Sequence, residues 1–435
     1  MSGSNQLWTS ADLVPSGDDL MEQIVDRRNM IKACKRVVEN EGNPGMDGMT
    51  TEVLPGWLQR NLERLSKSLL EGKYRPQPVR LAEIEKPGGG KRELGIPTVI
   101  DRTIQQAIHQ VLNPLFDPYF STSSFGYRVG KSAEQAVLQA LRFQQEGKRW
   151  VVDVDLSKFF DEVNHDVLMA KIKRRVKDKR VLKLIDLYLR TGIMQGSVTS
   201  PRTKGTPQGS PLSPLLSNIL LNELDQELEK RGHSFCRYAD DFVIFVRSEK
   251  AAQRVYDSVI SFIEKKLKLK INRTKSKITE GHKLIFLGYG FTWGEQIRLT
   301  VPKDVQKRFR MKSKLLFRKG RGMNLHRFII DYLNPFLRGW INYYKHCKVK
   351  TVMEDLDKWI RRRLRLIIWR QWKKPYTRFK RFTSMGLDYD HAMQCAYNGR
   401  GEWWNSGSQH MNFAFPKFYF VKLGLVSLMD MIVYR

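Results

Sequence analysis

Two adjacent carboxylates, Asp240 and Asp241, interrupt the run Phe235-Cys-Arg-Tyr-Ala-Asp-Asp-Phe-Val-Ile-Phe-Val246, whose apolar flanks alternate and favour strands. A tight connection at Ala239-Asp240 places the pair at a hairpin tip, with at least one carboxylate facing partly buried surroundings. Two such like charges repel and lose hydration unless a cation compensates them. An isolated Asp-Asp would be read as a solvated turn, but a second acidic strand end changes that reading. In Trp150-Val-Val-Asp-Val-Asp-Leu-Ser-Lys-Phe-Phe-Asp161, a short buried-strand pattern, Asp153 and Asp155 fall on one face at period two, with Asp155 at the strand end. The carboxylates of Asp155, Asp240 and Asp241, with a backbone carbonyl such as that of Leu156, are hard oxygen donors suited to Mg²⁺, with Mn²⁺ able to substitute. Such a set fits two-metal phosphoryl transfer, in which one ion activates an attacking hydroxyl and the other stabilises the leaving group. No His or Cys cluster competes for a metal.

Further along the chain, Lys86 and Arg92 bracket the Gly-rich turn of Lys86-Pro-Gly-Gly-Gly-Lys-Arg-Glu-Leu-Gly-Ile-Pro97. A flexible hairpin there would fold two cations onto a triphosphate while its backbone approaches closely; a solvated basic hairpin is the plainer alternative.

Together with Gly45-Met-Asp-Gly48, Ser124-Phe-Gly-Tyr-Arg128, Val152-Asp-Val-Asp155, Gly205-Thr-Pro-Gln-Gly-Ser-Pro-Leu-Ser-Pro214, Tyr238-Ala-Asp-Asp241 and Phe286-Leu-Gly-Tyr289, in that order, the chain resembles the group II intron-encoded reverse transcriptases. Asn334-Pro-Phe-Leu-Arg-Gly-Trp-Ile-Asn-Tyr-Tyr344 resembles the thumb, or maturase X, motif of the same family. The resemblance implies an α+β right-hand polymerase, with fingers, an antiparallel palm sheet flanked by helices, a helical thumb and a small C-terminal domain. It implies that Lys86 and Arg92 contact the incoming dNTP, that Phe160 blocks a ribose 2′-hydroxyl and so favours deoxynucleotides, and that Gln208 lies beside the nucleotide sugar and base. Read without it, Phe160 is a core residue. Asn272, Lys275 and Lys277, which follow a helix expected over 251–270, are placed at the primer end. Arg338, Tyr343, Arg361, Arg362 and Arg363 are placed on the primer and template.

The composition agrees. Lys+Arg 76 against Asp+Glu 45 leaves a net charge of +31 in 435 residues, which calls for a polyanionic partner, and 41% hydrophobic residues indicate a folded chain. From Val301 to Phe382 there are 25 Lys+Arg against 5 Asp+Glu, interleaved with Trp340, Tyr343, Tyr344, Trp359, Trp369, Trp372 and Tyr376. Such a mix serves phosphate neutralisation and base stacking, or else the core of a helical bundle with its cations in water, and both are expected here. The domains expected are 1–80, an N-terminal extension and helical region that in the family helps hold template RNA; 81–300, fingers and palm; 301–374, thumb; and 375–435, whose Gly401-Glu-Trp-Trp-Asn-Ser406 resembles the family's DNA-binding region. Cys34, Cys236, Cys347 and Cys395 are far apart and form no CxxC pair, so neither a zinc knuckle nor a disulfide framework is indicated. No apolar run is long enough to span a membrane and no secretory signal is visible, which points to a bacterial cytoplasmic setting.

Many members continue into an HNH endonuclease with Cys pairs and His ligands, and none follows here, so the expected relatives are the compact, endonuclease-lacking group IIC type. Tyr127-Arg-Val-Gly130 also lacks the proline that the family carries after the arginine. The partners implied are group II intron RNA, an RNA template with a DNA primer, target DNA and dNTPs. Three functions fit: RNA-directed DNA synthesis combined with assistance to splicing and retrohoming, a maturase acting mainly as an RNA-binding splicing cofactor, or a domesticated relative serving DNA repair. The intact acidic triad favours the first.

Overall fold

The computed structural model describes residues 19–85, 91–195, 198–200, 204–206 and 209–433, so Lys86 and Gln208 lie outside the described residues. The chain forms two compact units, Met1–Glu280 and Gly281–Arg435.

The first unit opens with α1 (Leu20–Val25), α2 (Arg27–Glu39) and α3 (Leu54–Leu70). Met30, Ala33, Cys34 and Val37 recur at helical spacing and bury one face of α2, and the Asp26 carboxylate caps its start by accepting from the Arg28 and Asn29 amides. A hairpin of β1 (Val79–Glu85) and β2 (Lys91–Ile96) leads into α4 (Val99–Phe116), whose Val99, Ile104, Ala107, Ile108 and Leu112 are buried. Then come α5 (Ala133–Gln145), β3 (Trp150–Val154), α6 (Phe159–Glu162), α7 (His165–Ile172), α8 (Lys179–Arg190), β4 (Ile193–Gln195), β5 (Val198–Ser200) and α9 (Ser213–Lys230). The unit closes with β6 (Ser234–Tyr238), β7 (Asp241–Val246), α10 (Glu249–Phe262) and β8 (Lys277–Glu280).

Two sheets result. One has the order β2-β1-β4-β5, with β1 and β4 parallel. The other, β6-β7-β3-β8, is antiparallel throughout. In β7 every residue from Phe242 to Phe245 is buried, so this strand is covered on both faces and does not follow the in–out alternation read from its flanks. The helix expected over 251–270 also ends earlier: α10 stops at Phe262, passes through a single π-turn at Ile263–Leu267 and is terminated by Lys268 in the left-handed region. The segment from Leu269 is thereby released to run beside the end of β3.

The second unit has a three-stranded sheet of β9 (Ile285–Phe286), β10 (Tyr289–Phe291) and β11 (Leu299–Thr300), then α11 (Lys303–Lys319), α12 (Leu325–Phe328), α13 (Asn334–Tyr343), α14 (Lys350–Gln371) and six shorter helices between Pro375 and Val433. Its aromatics form a core: Phe309 packs on Phe336 and Trp340 with ring centroids 5.5 and 4.6 Å apart, and Phe317 on Trp359 at 5.9 Å. The buried Asp357 carboxylate of α14 accepts from the Leu428 and Met429 amides and the Ser427 hydroxyl, which ties the last helix to α14. Residues 301–374 and 375–435 therefore share one unit, and the break between units lies at Glu280 rather than at residue 300. Cys34, Cys236, Cys347 and Cys395 are all buried and free. No helix among the described residues is long and apolar enough to cross a membrane.

Candidate active site

The carboxylate pair sits where the sequence puts it. Tyr238 pairs with Asp241, closing a two-residue turn at Ala239-Asp240, and Ala239 takes φ +60°, a left-handed conformation that costs a non-glycine residue about 1–2 kcal/mol. The surrounding chain holds it there. A Cβ built on Gly126 would lie 2.2 Å from the Ala239 nitrogen and 2.9 Å from the Tyr238 carbonyl carbon, so Ser124–Tyr127 lies directly against the turn. The Phe125 amide donates to the Arg237 carbonyl (2.8 Å) and the Arg237 amide to the Ser123 carbonyl (2.9 Å).

Arg237 anchors this assembly. Its side chain is 0% exposed and faces the equally buried Asp225. Nε donates to Asp225 Oδ1 (2.7 Å) and Nη2 to Oδ2 (2.5 Å), a two-pronged pairing. Nη1 donates to Asn218 Oδ1 (2.9 Å) and to the Ala239 carbonyl (3.0 Å), and Nη2 to Ser124 Oγ (2.7 Å). Asn218 Nδ2 completes the ring at the Gly126 carbonyl, 2.9 Å away. Neither Arg237, Asp225 nor Asn218 stands out in the sequence; the one available signal is a cation in a strand whose neighbours are all apolar.

Asp155 follows β3. The register of β3 on β7 pairs Val154 with Phe242, and one further pair brings Asp155 opposite Asp241. The released 269–276 segment supports it: the Asp155 amide donates to Ser276 Oγ (3.0 Å), the Asn272 amide to the Asp155 carbonyl (2.9 Å), Asn272 Nδ2 to Asp155 Oδ2 (3.3 Å), and Lys275 Nζ lies 3.3 Å from the same oxygen. Leu156 bridges to Ile271 between the bonds of its neighbours, which is the non-hydrogen-bonded antiparallel position, so its own carbonyl points away from that segment.

The electrostatics show that these carboxylates share one field. Asp241 is pushed up to about 6 by burial, then by repulsion from Asp240, Asp155 and Asp153, with Lys275 opposing. Asp153 is pushed up to about 6 by burial and by Asp155, against the Lys277 ammonium whose residue faces it across β8. Among the described residues no three His, Cys, Asp or Glu side chains close around a common point. The donors at this end of the sheet are all oxygen and carry surplus negative charge, the chemistry that a hard divalent cation satisfies.

Phe160 is buried at the start of α6, edge-on to Phe159 with centroids 5.2 Å apart. It lines a cavity of about 1190 Å³ together with Lys35, Arg102, Tyr127, Gly209 and Ser210. The strand of chain that leads to Gly209 is clamped to α6. Thr206 N donates to the Phe160 carbonyl (2.6 Å) and Gly205 N to the Val163 carbonyl (2.8 Å). Gly205 has φ +88°, and a Cβ there would lie 2.8 Å from the Phe160 oxygen. His165 Nε2 sits 2.7 Å from the Gly205 carbonyl, and since a carbonyl only accepts, Nε2 carries the proton. Gly205 entered the sequence reading only as the first residue of a motif and His165 not at all, yet the two are bonded to each other beside α6. A Gly205→Ala variant is expected to lose most nucleotide addition while binding RNA normally, read by primer extension beside RNA binding.

Other candidates are placed as follows. Arg92 lies on β2. In the second unit Arg338 is exposed on α13 and Arg361 half-buried on α14. Tyr343 donates its hydroxyl to the Leu287 carbonyl (2.7 Å). Arg362 and Arg363 do not simply face solvent: their guanidinium groups lie 3.9 and 4.5 Å from the Trp403 ring centroid, and Arg362 Nη2 donates to the Trp403 carbonyl.

Residues 84–291 match the family model of reverse transcriptase (RNA-dependent DNA polymerase), and residues 306–386 match that of the group II intron, maturase-specific domain. Protein YkfC of Escherichia coli (strain K12) is 31% identical over 349 residues, covering 69% of this chain and 92% of the relative. Group II intron-encoded protein LtrA of Lactococcus lactis subsp. cremoris is 27% identical over 407 residues, covering 72% of this chain and 68% of the relative. A palm sheet with its carboxylates at adjoining strand ends, followed by a maturase domain, places the chain in the family of group II intron-encoded reverse transcriptases and maturases, the RNA-directed DNA polymerases tied to intron splicing and retrohoming.

Proposed function

We propose that Asp155, Asp240 and Asp241, with the Leu156 carbonyl, hold the two Mg²⁺ ions of this polymerase. The observation that carries this is the placement of these carboxylates at the adjoining ends of β3 and β7, where burial first and then the charges of Asp240, Asp155 and Asp153 raise Asp241. When bound, the ions would lower the pKa of a primer 3′-hydroxyl and neutralise the leaving pyrophosphate. The chain's own residues do the positioning: Asn272 and Lys275 fix Asp155, Arg237 fixes the Asp240-Asp241 turn, and the Gly205-Thr206 clamp fixes Phe160.

In this scheme Lys86, Arg92 and Gln208 bind the incoming dNTP, and Phe160 lies under its sugar. Template RNA occupies the large cavity between Phe160 and the basic face formed by Lys32, Lys35 and Arg36 of α2 with Arg102 of α4. Arg338, Tyr343 and Arg361 contact primer and template; Arg362 and Arg363 act by holding Trp403 as much as by meeting phosphate. The second unit binds intron RNA and target DNA.

DNA-primer extension on an RNA template with Mg²⁺ and dNTPs tests the scheme. Tight RNA binding without extension would turn it toward a splicing cofactor. Two further outcomes are expected. Phe160→Ala should admit ribonucleotides, reducing discrimination in kcat/KM by about 10- to 200-fold; unchanged sugar selectivity would remove Phe160 from this role. RNA affinity should fall with salt at a log–log slope of about −0.7 to −0.9 per phosphate neutralised, and a flat response in filter binding would contradict the charge-based partner assignment.

A further inference from the structure

The end of the palm sheet opposite the carboxylates carries a second cationic feature, which the polymerase reaction does not use. A cleft of about 490 Å³ opens where β6 begins and β7 ends. Lys148, Arg231, His233, Arg247 and Arg254 line it, and no carboxylate does. It lies five residues along β7 from Asp241, roughly 17 Å at the usual strand rise.

The cations are in two states. Lys148 Nζ is fixed by Ser234 Oγ (2.8 Å) and Glu146 (2.9 Å), and Arg231 by Ser258 Oγ (2.5 Å) and Glu227 (2.7 Å). Both carboxylates hold their cations from outside the cleft lining. Arg247 and Arg254 are exposed, and neither has an ion-pair partner among the described residues. Phe245, Val246, Ala251 and Val255 form an apolar floor between the charges. Two pre-set cations, two unsatisfied ones and an apolar floor make a site for a chain of regularly spaced anions with a flat, less polar part between them.

We propose that this cleft binds the phosphodiester backbone of RNA, as a contact separate from the primer–template path. The proposal rests on the family's RNA partner. RNA is favoured over an acidic protein segment because guanidinium groups pair with phosphate oxygens in two-pronged fashion and the apolar floor accommodates ribose. The sheet between the cleft and the carboxylates separates the two functions: RNA engaged here tethers the enzyme without entering the reaction site.

The test is the double variant Arg247→Gln/Arg254→Gln in the full chain, measured in two assays. One is binding of a long structured group II intron RNA across 0.1–1 M salt, and the other is extension of a short DNA primer on a short RNA template. The expected result is a salt slope shallower by about 1.4–1.8, from two lost phosphate contacts, and affinity roughly 25- to 60-fold weaker at 0.1 M with convergence near 1 M. Short-template extension should be unchanged, which also certifies the fold, and Arg247→Lys/Arg254→Lys should restore most of the slope. An unchanged slope in the Gln variant, with the wild type itself salt-dependent, overturns the cleft. Polyglutamate binding that the variant loses while its RNA slope stays put would also overturn it, in favour of an acidic protein partner. A wild type that binds intron RNA without salt dependence would instead count against the family-level RNA reading, and is distinguishable because both proteins would then behave alike.

Discussion

Asp240→Ala is expected to reduce nucleotide addition by at least about 10³-fold while leaving RNA affinity within about twofold, because the lost group serves charge development in the reaction and not phosphate neutralisation. Retained synthesis with lost binding would contradict the site. Asp240 is one of the charges that raise Asp241, so its removal should also lower Asp241 toward an ordinary carboxylate. That has a consequence for pH. With Asp153 and Asp241 both near 6, their charged forms are disfavoured in the folded protein, and the stability they withdraw appears as pH rises from about 4 through about 6. A bound divalent cation reverses this by favouring the charged forms. The rise in Tm on adding Mg²⁺ should therefore be larger at pH 7.5 than at pH 5, and extension at limiting Mg²⁺ should fall below pH 6 and recover as Mg²⁺ is raised. A Mg²⁺-induced Tm shift independent of pH would mean that these carboxylates do not meet the ion.

What could be read from the sequence was what depends on local spacing. Asp240-Asp241 in an apolar hairpin and Asp155 at a strand end announce themselves because charge in such surroundings requires a reason. What could not be read depends on partners far apart in the chain. Arg237 looks like one polar interruption of a strand until Asp225, Asn218 and Ser124 arrive from a helix and a loop. Arg362 and Arg363 look like part of a solvated basic stripe, yet Trp403, some 40 positions on, covers them. The alternation read into the β7 flanks failed for a related reason: β7 is covered on both of its faces, and only the tertiary fold says so. The early end of α10 is likewise invisible to helix propensity, since Ile263–Leu267 would continue a helix well; the π-turn and the left-handed Lys268 redirect the chain so that Asn272 and Ser276 reach Asp155.

The second large effect concerns Arg237, and it separates holding the fold from placing the carboxylates. Arg237→Ala leaves Asp225 buried without its partner, and breaking a buried pair in this way typically costs about 3–5 kcal/mol. Thermal or urea unfolding should show that loss, and extension should fall with it, an outcome that by itself says only that the protein is weakened. Arg237→Met with Asp225→Leu removes both charges for apolar groups of similar size, which is often close to neutral for stability. The hydrogen bond to the Ala239 carbonyl and the one to Ser124 Oγ are gone in this double variant as well. Ala239 then keeps its left-handed conformation only through backbone restraints, the Tyr238–Asp241 pairing and the Arg237 backbone bonds to Ser123 and Phe125, and the press of Gly126. The expected result is a double variant that unfolds within about 1–2 kcal/mol of the wild type yet still extends primers at least about tenfold more slowly, a penalty of about 1.4 kcal/mol in the barrier. If stability and extension recover together, the network only fills the interior, and the turn keeps its shape without it. If stability returns and extension does not, the guanidinium's bonds to the Ala239 carbonyl and Ser124 Oγ are what set Asp240 and Asp241 at the angle the reaction needs.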